Sequence, residues 1–448
     1  MTATEHQRPG PTGPPRADER YAAAAAESRD ALALLQPHLE LIRREVPGVE
    51  LFDAHTHLGE HDPDGMCQSP EELLAVLADA DARGAFVFPM HEPDGYPPAN
   101  DMVLAAARAS GGLLVPFCRV NPHQDAVREA RRALDAGARG IKLHPRAERF
   151  TLDHPAVREL AALAHERALP ILIHAGRGIP SLGAHAVALA REFPNARLIL
   201  AHAGVSDLAW IWRAAAELPN LLFDTAWWMP ADLLALFSLV PPGQILFASD
   251  SPYGFTAFSA ACQLRLALQA GLSPAQIRLI ASEQSLRLAA GEPPLPAGPA
   301  IGERERAGHQ LLERVASFLQ LGAILSFRGA DGAEEMLALA RLACEVPEEH
   351  DDAPLFAAIG TLLEAHAELV AADAQGGPGG GDGRAGSGSD AAKAPRDDSA
   401  ADEQVGETAA SHAGEDPDER AHPRIRRRNG ALMMALAIAA SPDVPLPC

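Results

Sequence analysis

Two histidines separated by one residue, His55 and His57 in Leu51-Phe52-Asp53-Ala54-His55-Thr56-His57, stand where an apolar run gives way to polar, turn-forming chain. Side chains two residues apart on an extended strand share a face, so both imidazoles can reach one ion. A catalytic zinc-type centre takes three or more nitrogen or oxygen ligands and keeps a position open for water, so further ligands must come from elsewhere in the chain. Candidates recur at the same kind of place. Ile171-Leu172-Ile173-His174, Leu198-Ile199-Leu200-Ala201-His202 and Ile245-Leu246-Phe247-Ala248-Ser249-Asp250 each run from apolar residues into one titratable group. A single histidine so placed reads as a satisfied polar residue at a strand end. Four histidines and an aspartate, all at such ends, read as one site.

Those ends belong to a regular alternation. Short apolar runs at Val49 to Ala54, Gly84 to Pro89, Leu113 to Val120, Arg139 to Leu143, Pro170 to His174, Arg197 to His202, Asn220 to Asp224 and Gln244 to Asp250 give eight strands, since a buried parallel strand shows as a short continuous apolar run. Amphipathic stretches such as Pro70 to Ala82, His123 to Ala136, Pro155 to Ala168 and Leu182 to Phe193 lie between them, each long enough for a helix crossing back over the sheet. The fold class is therefore α/β, a (β/α)8 TIM barrel over residues 49–291, whose reactive groups belong where strands end and the following loops begin. A doubly wound open sheet is the alternative. The closed ring is preferred because the titratable groups come from first, middle and last strands, which a barrel gathers and an open sheet holds apart.

Outside the barrel, residues 1–20 read as a disordered, Pro-rich start and Tyr21 to Glu45 as an N-terminal helix within 21–48 that ends at Pro47-Gly48. Residues 303–372 have helical periodicity and read as a small helical appendage. The Gly-, Ala-, Ser- and Asp-rich stretch to 423 cannot bury enough surface to offset the entropy of ordering, and reads as a disordered linker. Residues 424–448 read as a tail in which the Arg-rich run beside Ala431 to Ala440 is a solvated charge run next to a marginal short helix; docking on the barrel or on a partner is the second reading.

The 448-residue chain carries a formal net charge of -22, which argues against non-specific binding to nucleic acid or to an anionic membrane surface. Its five cysteines lack CxxC spacing, so neither a disulfide framework nor a cysteine metal site is expected, and a cytoplasmic location fits. The start lacks an apolar segment of the secretory type, and Ala431 to Ala440 is too short to span a bilayer, which needs about 20 residues.

With these motifs placed, the chain from about Val49 to Gly291 resembles the metal-dependent hydrolases of the amidohydrolase superfamily, specifically the amidohydrolase 2 (amidohydrolase-related) family. The resemblance rests on Asp53-Ala54-His55-Thr56-His57, Gly140-Ile141-Lys142-Leu143-His144-Pro145, Ile173-His174-Ala175-Gly176, Ala201-His202-Ala203-Gly204 and Ala248-Ser249-Asp250-Ser251-Pro252, in that order. It implies that His55, His57, His174 and Asp250 hold one divalent ion, zinc first, with manganese, iron or cobalt also suited. It implies that His202 acts beside the ion. Lys142 matches a lysine that in some branches is carboxylated and bridges two metals, and in others remains an ammonium contacting substrate or structure. A homodimer is the oligomeric state the resemblance suggests.

An ion so held lowers the pKa of bound water from about 15.7 toward about 7. Asp250 is the natural proton acceptor, and His202 is placed to polarise a carbonyl or stabilise an oxyanion. Hydrolysis of an amide, ester or lactone bond is the default reaction. Non-oxidative decarboxylation of an aromatic or unsaturated acid is the alternative, and an inactive barrel serving as a scaffold is the third reading. Arg119, Lys142, Arg146 and Arg177 at strand ends of an acidic chain suggest a small carboxylate-bearing substrate; the competing reading is salt bridges to loop acids such as Glu148. Lys142, His144, Arg119 and Arg177 are the substrate-binding candidates, and Trp227 and Trp228 either wall a flat substrate or pack under the loop.

Overall fold

The computed structural model describes residues 32–447 except 64, 177–178, 180, 303–308, 329 and 376–422. The expected disordered start, most of the expected linker and Arg177 therefore lie outside the described residues.

Helix α1 (residues 32–45) leads into β1 (Leu51–Leu58), and strand and helix then alternate. In order they are α2 (Pro70–Asp79), β2 (Ala82–Pro89), α3 (Pro97–Ala109), β3 (Leu114–Arg119), α4 (Ala126–Asp135), β4 (Gly140–Leu143), α5 (Pro155–Arg167), β5 (Pro170–Ile173), α6 (Gly183–Glu192), β6 (Arg197–Leu200), α7 (Leu208–Glu217), β7 (Leu221–Asp224), α8 (Pro230–Leu239), β8 (Ile245–Leu246) and α9 (Thr256–Ala270). Local chemistry sets several starts. Ser69 and Glu72 form a reciprocal capping box before α2, with Pro70 at the first helical position, and Ser273 with Gln276 does the same for α10 (Pro274–Arg278).

The eight strands pair in parallel in the order β1 to β8. The chain after β8 returns to β1: Ala54 N donates to Phe247 O at 2.9 Å, Asp250 N to His55 O at 2.9 Å and His57 N to Ser251 O at 2.8 Å. Asp53 adds a buried side-chain tie across the same seam, accepting from Ser249 N and from Thr256 Oγ1. The result is a (β/α)8 barrel.

Strand residues alternate between two clusters. Phe52, Phe86, Phe88, Phe117, Leu172, Ile199, Leu222 and Leu246 pack with one another inside the ring, whereas Cys118, Ile141, Ile173, Leu200, Phe223 and Phe247 pack outward against the helices. That two-residue period carries through to the strand ends. Arg119 follows Phe117 by two, His174 follows Leu172, Asp224 follows Leu222 and Asp250 follows Ala248, so each falls on the inward side.

Beyond the barrel, α11 (Gln284–Ala289), α12 (Gln310–Phe327), α13 (Ala333–Ala343), α14 (Ala353–Gln375) and α15 (Pro423–Ala439) follow. The last of these corrects the expectation of a marginal helix. Leu432, Met434, Ala435, Leu436 and Ile438 are fully buried, and α15 packs on α9, α12 and α14. Gly430 is the point of closest approach, because a Cβ there would lie 1.5 Å from the Phe258 ring of α9. The buried Arg265 on α9 then holds the chain past α15, donating to Ser441 Oγ at 2.6 Å and to the carbonyls of Ser441, Val444 and Pro445. A window of α14, Ala353–Ala371, is long and apolar enough to cross a membrane by length and composition (hydropathy 1.3). Its Phe356, Ile359 and Leu363 are buried inside the protein, while Glu364 and Glu368 are exposed, as in an amphipathic helix packed on a core.

Candidate metal centre

Simple alternation from Phe52 and Ala54 would turn His55 and His57 outward. An irregularity in β1 reverses that: Asp53 pairs with Ala85 and Thr56 with Val87, three residues of β1 against two of β2. The extra residue is a bulge that switches which face the following side chains occupy, and both histidines end inside the ring with centroids 5.1 Å apart. At the seam with β8, Asp250 adopts φ 63, and His202 after β6 adopts φ 57. Left-handed backbone costs free energy for a non-glycine residue, of the order of 1 kcal/mol or more, and persists where the surroundings over-determine it. Gly176 gives room for the rings, since a Cβ there would lie 2.8 Å from His202 Cδ2 and 3.2 Å from His174 Cε1.

One ligand atom each of His55, His57 and Asp250 lie within 4.8 Å of one another. Asp250 Oδ1 is 3.1 Å from His55 Nε2 and 3.1 Å from His57 Nε2. His55 Nδ1 lies 2.8 Å from Asp224 Oδ2, a bond buried at both ends. Burial, reinforced by Lys142, His202 and Arg119, holds His55 well below the usual histidine range, and burial with the neighbouring His55 does the same for His57. Neutral His55 has one ring proton, and Asp224 takes it on Nδ1. Nε2 then presents its lone pair beside Asp250 Oδ1, 3.1 Å away, with Lys142 Nζ 3.2 Å from the same nitrogen. Nitrogen and carboxylate oxygen are donors that zinc, manganese, iron and cobalt accept, so the residues present fit a divalent ion.

His174 is not in that three-atom group. Its Nδ1 lies 2.9 Å from His202 Nε2, and its ring stacks on His144 at 4.0 Å. His202 Nδ1 meets Ala226 O at 2.7 Å, a carbonyl that can only accept, so the proton sits on Nδ1. With that proton on Nδ1, His202 Nε2 can accept from His174 Nδ1–H, a pairing that turns His174 Nε2 into the ring's other available nitrogen. Both nitrogens of His202 are thus engaged.

Lys142 is fully buried and its Nζ lies 3.2 Å from His55 Nε2 and 4.6 Å from the centre of the Phe88 ring. Burial pulls the amine down to about 7, against the opposing pull of Asp250. Arg119 is placed differently from the substrate-binding expectation. Its Nε and Nη2 donate to Glu148 Oε1 at 3.2 and 2.7 Å, and Nη1 donates to Pro89 O at 3.3 Å. Tyr96 shares that carboxylate oxygen. The salt-bridge reading of Arg119 is the observed one. His144 accepts from Ala147 N at 3.2 Å beside His174, and His61 pairs with Glu92 at 2.8 Å away from the cluster.

Asp224 was absent from the sequence-derived site. It is fully buried, and its Oδ1 also accepts from His202 N at 2.9 Å and Ala226 N at 3.0 Å, so one carboxylate orients both histidine-bearing segments. Burial raises its pKa above the ordinary carboxylate value. Its signal was the same as that of the other members, a titratable residue closing an apolar run.

A parallel eight-stranded barrel with such a cluster at its mouth places a group able to hold a metal ion where barrel enzymes keep their reactive side chains. The sequence profile of the amidohydrolase family matches residues 52–288, more than half of the 448-residue chain, and the chain belongs to that family. Similar solved structures include an uncharacterized TIM-barrel protein from Bordetella bronchiseptica (17% identity, 61% of this chain and 92% of that one, TM-score 0.43). Two others are an amidohydrolase from Burkholderia multivorans with bound zinc (13%, 54% and 99%, TM-score 0.45) and the 5-carboxyvanillate decarboxylase of Novosphingobium aromaticivorans complexed with manganese and 4-hydroxy-3-methoxy-5-nitrobenzoic acid (13%, 54% and 96%, TM-score 0.42). No curated protein matches the chain.

Proposed function

We propose that the protein is a metal-dependent hydrolase that opens an amide, ester or lactone bond of a small carboxylate-bearing substrate. The observation that carries this reading is the convergence of His55 Nε2, His57 Nε2 and Asp250 Oδ1 while Asp224 occupies the other nitrogen of His55. These three would hold the ion, zinc first; His174, the fourth ligand that the family resemblance implies, lies outside this group of three atoms. A divalent ion in this place supplies Lewis acidity and makes water acidic enough to lose a proton near neutrality.

The remaining work falls to the side chains. Asp250 accepts the proton from the attacking water and returns it to the leaving group, which its carboxylate at the centre of the cluster allows. Lys142 sets N–H donors beside the same atoms, where they attract the substrate's carboxylate or the oxygen on which negative charge develops. His202 is read here as a positioning residue: with Nδ1 committed to Ala226 O and Nε2 to His174, it fixes the tautomer of His174. Buried Phe88 packs against the rings of His55 and His57 on the inner side of the barrel.

The test is metal analysis together with a product assay. Protein loaded with zinc, manganese, iron or cobalt is expected to hold one ion per chain, and to release acid without CO2 from a panel of esters, lactones and amides bearing a carboxylate. His55→Ala and Asp250→Ala should lose both ion and turnover. Release of CO2 from aromatic or unsaturated acids would replace hydrolysis with decarboxylation, and failure to bind any of the four ions would favour a scaffold.

A further inference from the structure

The helices beyond residue 291 have no part in the family match at 52–288, yet one of them reaches the active face of the barrel. The loop after β7 runs from Asp224 through Ala226, the acceptor for His202, to Trp227 and Trp228. Trp227 stands edge-on to His202 with ring centroids 6.3 Å apart, and its indole N–H is tied to Asp232 Oδ2 at 2.6 Å. Trp228 lies 6.1 Å from Trp227, and Phe327, the last residue of α12, meets Trp228 edge-on at 5.2 Å. The two indoles are half-buried, but Phe327 is 43% exposed. Its helix is firmly held nonetheless, with Leu312, Val315, Leu319 and Ala323 buried.

We infer that α12 completes the substrate-binding mouth: Phe327, with Trp228 behind it, is a specificity-determining residue that contacts the apolar end of an extended carboxylate ligand. The inference rests on the carboxylate-binding reading of the metal centre given above. The chain of rings starts at His202, beside the metal donors, and ends on a large exposed aromatic surface in a segment that the barrel itself does not supply. Three ring-to-ring steps of 6.3, 6.1 and 5.2 Å separate Phe327 from His202, so contact with Phe327 would favour a long acid held at the metal donors over a short one. An aromatic side chain also offers rigid contact area at little entropic cost, and ring pairs add roughly 0.5–1.5 kcal/mol beyond the area they bury.

The experiment is a length series on the full-length, zinc-loaded protein. Acetate, benzoate, 3-phenylpropionate and 4-phenylbutyrate are titrated by quenching of tryptophan fluorescence, with metal content measured on each sample. Phe327→Ala should weaken the two longest acids by about 2- to 10-fold and leave acetate and benzoate unchanged, and Phe327→Leu should fall between. A merely structural role for Phe327 would shift all four acids together or none, and either result overturns the inference. If Phe327→Ala does not fold, Trp228→Phe and Phe327→Leu carry the same comparison. Absence of acetate and benzoate binding to protein shown to hold zinc would sink the reading of the site itself, and this inference with it. Normal binding of the short acids with no selective loss of the long ones would overturn the role of Phe327 alone.

Discussion

Replacing Asp224 by Asn tests the metal centre without touching any proposed ligand. Asp224 Oδ1 is fixed by two backbone donors, His202 N at 2.9 Å and Ala226 N at 3.0 Å, so in Asp224→Asn the amide oxygen must stay on that side. The amide nitrogen then faces His55 Nδ1, where the carboxylate Oδ2 had accepted at 2.8 Å. Two donors cannot share that line. His55 moves its proton to Nε2, the atom that faces Asp250 and Lys142, and loses the lone pair it would give the ion. Removing an outer partner of a metal-binding histidine typically costs 10–100-fold in affinity, about 1.4–2.7 kcal/mol. The fold should be spared, because both backbone bonds to Oδ1 remain, and the metal-free variant should lose no more than about 1 kcal/mol in urea unfolding. The assay is competition for zinc against a chromogenic chelator at pH 7.5. Wild-type affinity and stoichiometry in a well-folded Asp224→Asn protein would refute the assignment of His55 Nε2 as a ligand.

Other outcomes follow from the same structure. Gly176→Ala forces a Cβ to 2.8 Å from His202 and 3.2 Å from His174, so it should displace those rings, costing about 1–3 kcal/mol of stability and most of the turnover; unchanged kinetics would show that the ring pair is not part of the site. His38 is buried, and burial with the nearby Arg265 lowers its pKa to about 4. Because the unfolded chain binds this proton from about 6.5 downward and the folded chain only near 4, the stability contribution is intact above pH 6.5 and falls by about 3 kcal/mol as pH drops through that window. His38→Leu should therefore show a shallower loss of stability between pH 7 and pH 4 in parallel urea titrations, and an identical slope would be contrary to this account. Arg265→Met leaves the carbonyls of Ser441, Val444 and Pro445 without their buried donor, and should cost about 3 kcal/mol or more in the same assay.

The barrel was legible because parallel strands buried on both faces must be short continuous apolar runs, and here those runs end in the groups that do chemistry. His55, His57 and Asp250 could be named from that pattern. The means by which they converge could not. The bulge in β1 is a register shift against β2, and a shift of pairing leaves no mark in the composition of either strand. Arg119 shows the complementary limit: its cation reads equally as a substrate contact or as a salt bridge to a loop acid such as Glu148, and only the folded loop, 29 residues on, places that carboxylate against it. Asp224 closes an apolar run by the same rule as the others, but an Asp at a strand end serves equally well as a turn residue.

The helices after the barrel teach a different lesson about what periodicity reports. Ala431 to Ala440 is apolar on every side, too short to span a bilayer, and reads as a marginal helix beside a charge run, with docking on the barrel as the second reading. A helix that is hydrophobic all round is one that neighbours surround on all sides, which is what α9, α12 and α14 do to α15. The residue that fixes the far end, Arg265, sits 176 positions before Ser441 in the sequence, on α9. The appendage is therefore bonded to the barrel through a buried cation and a buried helix rather than tethered beside it. Such an attachment holds α12 in a fixed position over the loop that carries Trp227 and Trp228, and a rigid wall, unlike a tethered one, can discriminate among ligands by length.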